Sequence, residues 1–149
     1  MKLNPLLIAL ALGISYSACS NGHQDPMEAA RLKEERRTKE AEMNNPRSFL
    51  HFSNTEFVTR RKQKAGETDT LKVTSTLISD ATRVRYKDIA FKIRFYTPND
   101  DLLKEMPFTV TEFYLPQSST PINVRFGDVP AEATKFSIGI DKVTGESKF

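Results

Sequence analysis

Ile89-Ala-Phe-Lys-Ile-Arg-Phe95 places a large apolar side chain at every second position, with Ala90, Lys92 and Arg94 between them. Helices repeat every 3.6 residues and strands every two, so this stretch is a strand with one face in a core and the other largely solvated. The same period recurs on either side of it. Leu71, Val73 and Leu77 alternate with Lys72, Thr74 and Thr76, and Met106, Phe108 and Val110 alternate after the turn Thr97-Pro-Asn-Asp-Asp101. Ile122, Val124 and Phe126 form another such set, and Phe136, Ile138 and Ile140 the last. Between them the phase slips at Thr111-Glu112, which brings Phe113 and Leu115 onto the core face and predicts a β-bulge before Pro116 stops the strand. Residues 49–59 are the least regular and are expected to form one more strand. No helix of useful length is expected after Pro46. The prediction is an all-β fold over residues 48–149, an antiparallel sandwich of six to seven short strands.

The chain ahead of this domain has a different chemistry. Met1-Lys2 is a short positive start, and Leu6-Leu-Ile-Ala-Leu-Ala-Leu-Gly-Ile14 is an apolar run too short to cross a bilayer as a stable helix. Small residues follow it, as a cleavage site requires, so residues 1–18 read as an export signal. Cys19, the one cysteine of the chain, falls at that point. Residues 19–47 then read as a polar, helical tether. Asp25-Pro26 is a favourable helix start, a capping side chain followed by proline at the first helical position. From Met27 to Met43 the residues are mostly good helix formers, with Arg31/Glu35, Glu35/Lys39 and Arg36/Glu40 spaced to pair on one face. No continuous apolar stripe or heptad repeat runs through it. It reads as a solvated spacer about 27 Å long rather than a coiled-coil surface.

Two resemblances follow from these residues. Ser17-Ala18-Cys19 resembles the lipobox of bacterial lipoproteins, in which small residues precede a cysteine that is acylated and becomes the mature N-terminus. Tyr16 stands where that pattern has an aliphatic residue. The resemblance implies a membrane anchor through acylated Cys19, and Ser20 after the cysteine implies the outer membrane, facing either the periplasm or the surface. The alternative is an ordinary secretory signal that leaves Cys19 as a thiol. In the domain, Tyr86-Lys-Asp-Ile-Ala-Phe-Lys-Ile-Arg-Phe-Tyr96, the turn at 97–101, and Leu115-Pro116 ahead of Ile122-Asn-Val-Arg-Phe126 resemble the FxLYD type of Ig-like domain found in bacterial envelope proteins. That resemblance spans about residues 71–143. It implies an Ig-like sandwich and brings no catalytic or ligand residues with it.

The formal net charge is +3, and +2 once Lys2 leaves with the signal, which is too slight and too evenly mixed to argue for nucleic acid. His23 and His51 are the only histidines, so His/Cys metal sites and cofactors that depend on them are not expected. His51 has no Ser, Cys or Asp constellation near it in sequence that would make it a general base, and no catalytic residue is assigned. Asn99-Asp100-Asp101 lacks the ligand spacing of a calcium loop and reads as a turn. Arg60, Arg61, Lys62 and Lys64 form the densest basic run, at the tip of an expected hairpin. They are candidate contacts for a protein partner or lipid headgroups, or else a solvated loop. Tyr86, Tyr96 and Tyr114 are the candidate contacts for a small molecule or glycan at the loop ends. The expected function is a non-enzymatic, lipid-anchored envelope protein whose domain binds another envelope protein. A ligand-binding role is the alternative. An enzyme would need a carboxylate pair such as Asp100 and Glu112, which the spacing does not support.

Overall fold

The computed structural model describes residues 25–62 and 68–146. At its centre lies β3 (Arg85–Tyr96), whose Ile89, Phe91, Ile93 and Phe95 are fully buried, as the alternation requires. β3 is flanked by β4 (Leu102–Val110) and β6 (Lys135–Glu146) in one antiparallel sheet. β2 (Thr70–Ser79) is flanked by β1 (Leu50–Arg60) and β5 (Ser118–Phe126) in the other. The inner faces of the two sheets meet in one apolar layer, so the protein is an all-β sandwich of six strands. Rings set the alignment across that layer. Phe57 stacks on Phe136 at 5.8 Å and Phe108 meets Phe126 edge-on at 5.3 Å, which seats β1 over β6 and β5 over β4. Each fully buried Leu, Ile or Phe contributes about 1.5–3 kcal/mol relative to exposure.

The bulges fall in places that alternation alone does not show. β4 ends at Val110, so the expected bulge at Thr111-Glu112 is absent and Phe113 and Leu115 are about half exposed. Tyr114 turns inward instead and exchanges both backbone hydrogen bonds with Tyr86, at 2.9 and 2.8 Å. Extra residues enter β1 at Asn54 and β3 at Asp88, both with positive φ (52° and 50°). A residue inserted at Asp88 reverses which side of β3 faces the core. That is why Val84 and Tyr86 are buried along with Ile89.

The strand directions define two ends. At one, the 80–84 and 111–117 connections, the start of β1 and the end of β6 come together. At the other lie the connection from β1 to β2, the 97–101 turn and the 127–134 loop. Val129 and Ala133 tuck into the core from that last loop.

The helix α1 (Pro26–Asn44) starts as its sequence predicts, with the Asp25 side chain accepting from the Met27 N–H at 3.0 Å. The expected i,i+4 ion pairs are not formed. Glu34 pairs with Arg37, and Glu35 reaches out of the helix to Arg83 at 3.1 Å. The helix is polar all round for most of its length, but its last turn belongs to the sandwich. Glu42 is 1% exposed, and a 3-10 turn over Pro46–Phe49 carries the chain from there into β1. The last turn of α1 thus packs on the sandwich ahead of residue 48, where the domain is expected to begin. No helix among the described residues is long and apolar enough to cross a membrane.

Candidate functional site

Glu42 mounts the helix on the sandwich. One carboxylate oxygen accepts from the Thr82 N–H (2.7 Å) and the Thr82 hydroxyl (2.9 Å), and the other from the N–H groups of Arg83 and Val84 (both 2.9 Å). The Tyr86 hydroxyl donates to the Glu42 carbonyl at 3.2 Å. A carboxylate in the last turn of a helix works against the helix dipole, so Glu42 adds nothing to helix stability. What offsets its burial is the nest of three backbone donors and a hydroxyl. Sequence reasoning passed over Glu42 because one more acid in a charged helix carries no periodic signal.

The basic run lies at the opposite end of the sandwich. Arg61 donates to the Asp69 carboxylate (2.7 Å) and to the Ala133 carbonyl (3.1 Å), and the Lys62 N–H donates to the other Asp69 oxygen (2.7 Å). These bonds, the Lys62 amide first and the Arg61 guanidinium second, hold the Asp69 carboxyl below its ordinary range. Arg61 is therefore a structural clamp across the end of the sandwich. Arg60 and the Lys62 side chain face solvent and line a depression of about 510 Å³ together with Val58, Lys72 and Arg125. Lys64 lies outside the described residues, as does Cys19.

Burial removes two of the three candidate tyrosines from any surface site. Tyr86 and Tyr114 are 0% and 1% exposed. Burial, with the negative charge of Glu42 next, raises the Tyr86 hydroxyl well above its ordinary range. Tyr114 is pushed up to about 12 by burial and then by Glu112. Tyr96 is half-buried, with its hydroxyl 3.5 Å from that of Ser137. The sequence reading missed the inversion at Asp88, and with it the burial of Tyr86. His51 lies on the exposed face of β1 beside Asp80 (3.1 Å). Asp100 binds Lys135 at 2.7 Å at one end of the sandwich, whereas Glu112 follows β4 at the other, so the two do not form a pair. Among the described residues no three His, Cys, Asp or Glu side chains converge as a metal site would need.

No protein-family model matches the chain, and no curated protein matches it in sequence. Solved structures with some likeness include a structural genomics target, SoR45, at 12% identity and a TM-score of 0.42, covering 68% of this chain and 89% of that one. The Salmonella enterica trimeric lipoprotein SadB is similar at 13% identity and a TM-score of 0.40, covering 80% of this chain and 78% of its own. A DUF1425 family member from Shewanella sp. pv-4 follows at 12% identity and a TM-score of 0.33, covering 62% and 94%. Likenesses this weak define neither a family nor a function for the chain.

Proposed function

We propose that this chain is a non-enzymatic, lipid-anchored protein of the cell envelope whose β-sandwich binds another envelope protein. The anchoring rests on Ser17-Ala18-Cys19 and the apolar run before it, and placement at the outer membrane rests on Ser20. The observation that carries the binding role is the Glu42 mount. A helix joined to the sandwich by five hydrogen bonds at Glu42 holds the domain at a set angle to the segment that leads from its anchor. A fixed attitude serves docking on a fixed partner, and a domain that captures diffusing ligands has no need of it. The burial of Tyr86 and Tyr114 weighs against the ligand-binding alternative.

The sheet edges offer a route for a partner's extended segment. β4 carries Pro107 opposite Lys92, and β5 carries Pro121 opposite Thr76. A proline fits a strand only where its nitrogen faces away from the ladder, so both of these edges lack an outward N–H. β1 and β6 contain no proline and form the opposite side of the sandwich. Two measurements test the reading. The mass of protein from native envelopes is expected to equal the chain from Cys19 onward plus lipid, and an unmodified mass starting elsewhere would remove the anchor. Photo-crosslinkers placed along β1 and β6 in living cells are expected to trap one envelope protein in stoichiometric amount, lost in Thr59→Lys and Thr144→Lys variants. Trapping no protein there would overturn the assembly role in favour of ligand binding.

A further inference from the structure

The two outer faces of the sandwich treat charge in opposite ways. On the β4-β3-β6 face each cation of the central strand β3 meets an acid. Arg85 and Lys87 meet Glu146 (2.8 and 3.2 Å), Lys92 meets Asp141 (3.1 Å), and Arg94 meets Glu105 (2.7 Å). On the β1-β2-β5 face the pattern breaks down near the 61–69 connection. Register places Val58, Lys72 and Arg125 in one row across the three strands, with Arg60 and Thr70 paired at the end beyond it. Lys72 and Arg125 are direct cross-strand neighbours, an arrangement in which like charges destabilise a sheet. Among the described residues no carboxylate pairs with Arg60, Lys72 or Arg125, and Asp69 at the rim is already taken by Arg61 and the Lys62 amide. A fold that balances the cations of β3 and sets Lys72 of β2 against Arg125 of β5 gains nothing in stability from the second arrangement. Val58 stands among these cations 56% exposed, an apolar side chain at the lip of the same depression.

We propose that Arg60, Lys62, Lys72 and Arg125, with Val58, form a contact site for an anionic phospholipid surface. The cations meet headgroup phosphates, and Val58 meets the apolar level beneath them. The charges suit any phosphate, but a site for a free phosphate has no use for an exposed valine between them. The site is a second membrane contact, independent of Cys19. Its Lys72 row lies about 23 Å along β2 from Ser79, at 3.3 Å per residue, and Ser79 is the end of the strand that leads to the Thr82–Val84 nest. It does not rest on the assembly role proposed above.

The test uses the chain from Ser20 onward, which lacks the acylated cysteine and keeps every contact described. Sedimentation with phosphatidylcholine vesicles, with and without phosphatidylglycerol, is expected to show binding to the anionic vesicles alone, weakening as salt rises. Lys72→Gln with Arg125→Gln is expected to weaken that binding about thirtyfold. The same double variant is expected to melt at a higher temperature than the parent, because a repulsive pair has been removed. This second reading shows that the variant is folded. Val58→Ser is expected to weaken vesicle binding further. Equal binding to neutral vesicles, or unchanged binding in the double variant, would overturn the proposal. So would full competition by millimolar inorganic phosphate with no effect of Val58→Ser, which would make the site one for free phosphate.

Discussion

Tyr86 and Tyr114 share a backbone bridge and a buried position, yet their hydroxyls end differently. Tyr86 donates to the Glu42 carbonyl, whereas the Tyr114 hydroxyl is buried with no partner among the described residues. A satisfied buried hydrogen bond contributes about 1 kcal/mol net, while an unsatisfied hydroxyl is a cost. Tyr86→Phe is therefore expected to lower unfolding free energy by about 1 kcal/mol, and Tyr114→Phe to leave it level or raise it, as read from urea denaturation. Equal losses in the two variants would mean that shape rather than hydrogen bonding decides. Burial also raises both hydroxyls above their ordinary ionisation range. A group raised in the folded state binds its proton longer than in the unfolded chain. Its stabilisation is therefore complete below about pH 10 and is lost as pH rises through the folded value. Alkaline titration should show phenolate absorbance from these two residues appearing together with loss of the fold. Ionisation of both while the fold persists would contradict their burial. None of this was legible in the sequence, where Tyr86, Tyr96 and Tyr114 look alike.

At the scale of the element, strand identity was readable and strand phase was not. The alternation from Ile89 to Phe95 marks β3 and its buried face directly, because side-chain direction in a strand is a local property. Carried backwards through Asp88, the same alternation puts Tyr86 on the wrong side. The extra residue at Asp88 is accommodated only because β6 answers with its own shift opposite Ala90 and Phe91. Asp88 has φ 50°, a conformation that costs non-glycine residues and that Asp tolerates better than most. Asp88→Ala is thus expected to destabilise the fold by about 1 kcal/mol, and Asp88→Gly to be neutral or stabilising. The exposed contact of Asp88 with Lys87 at 3.9 Å is too weak to mask the difference. Equal thermal shifts for Ala and Gly would show that φ is not what the position demands. The slip at Thr111-Glu112 failed as a bulge for a related reason. A strand continues only while a neighbour offers a ladder, and β4 loses β3 after Val110 pairs with Ile89.

For the whole molecule the deciding contact is Glu42. Glu42→Ala would leave the Thr82, Arg83 and Val84 donors buried without an acceptor, and about 3 kcal/mol of stability is expected to go with it. Glu42→Gln turns an NH₂ toward backbone donors and is expected to cost about 1–2 kcal/mol. Hydrogen exchange is the discriminating measurement. The amides of residues 82–84 should exchange much faster in both variants while those of Phe91 and Ile93 stay protected, since the helix mount is local and the core is not. Global loss of protection at the Ala substitution alone would make Glu42 part of the folding core rather than a mount. The sequence by itself determined what depends on neighbours a few residues apart: the strand period, the turn at 97–101, and the Asp25 cap with the helix it starts. Those features follow from side-chain spacing and backbone preference, which any short stretch displays. Only the tertiary structure decided which face each strand presents beyond a bulge, that a helix acid would sit on amides 40 residues further on, and that Lys72 would lie opposite Arg125. Each of these depends on register between segments far apart in the chain, and register is set by the packing of the whole sandwich.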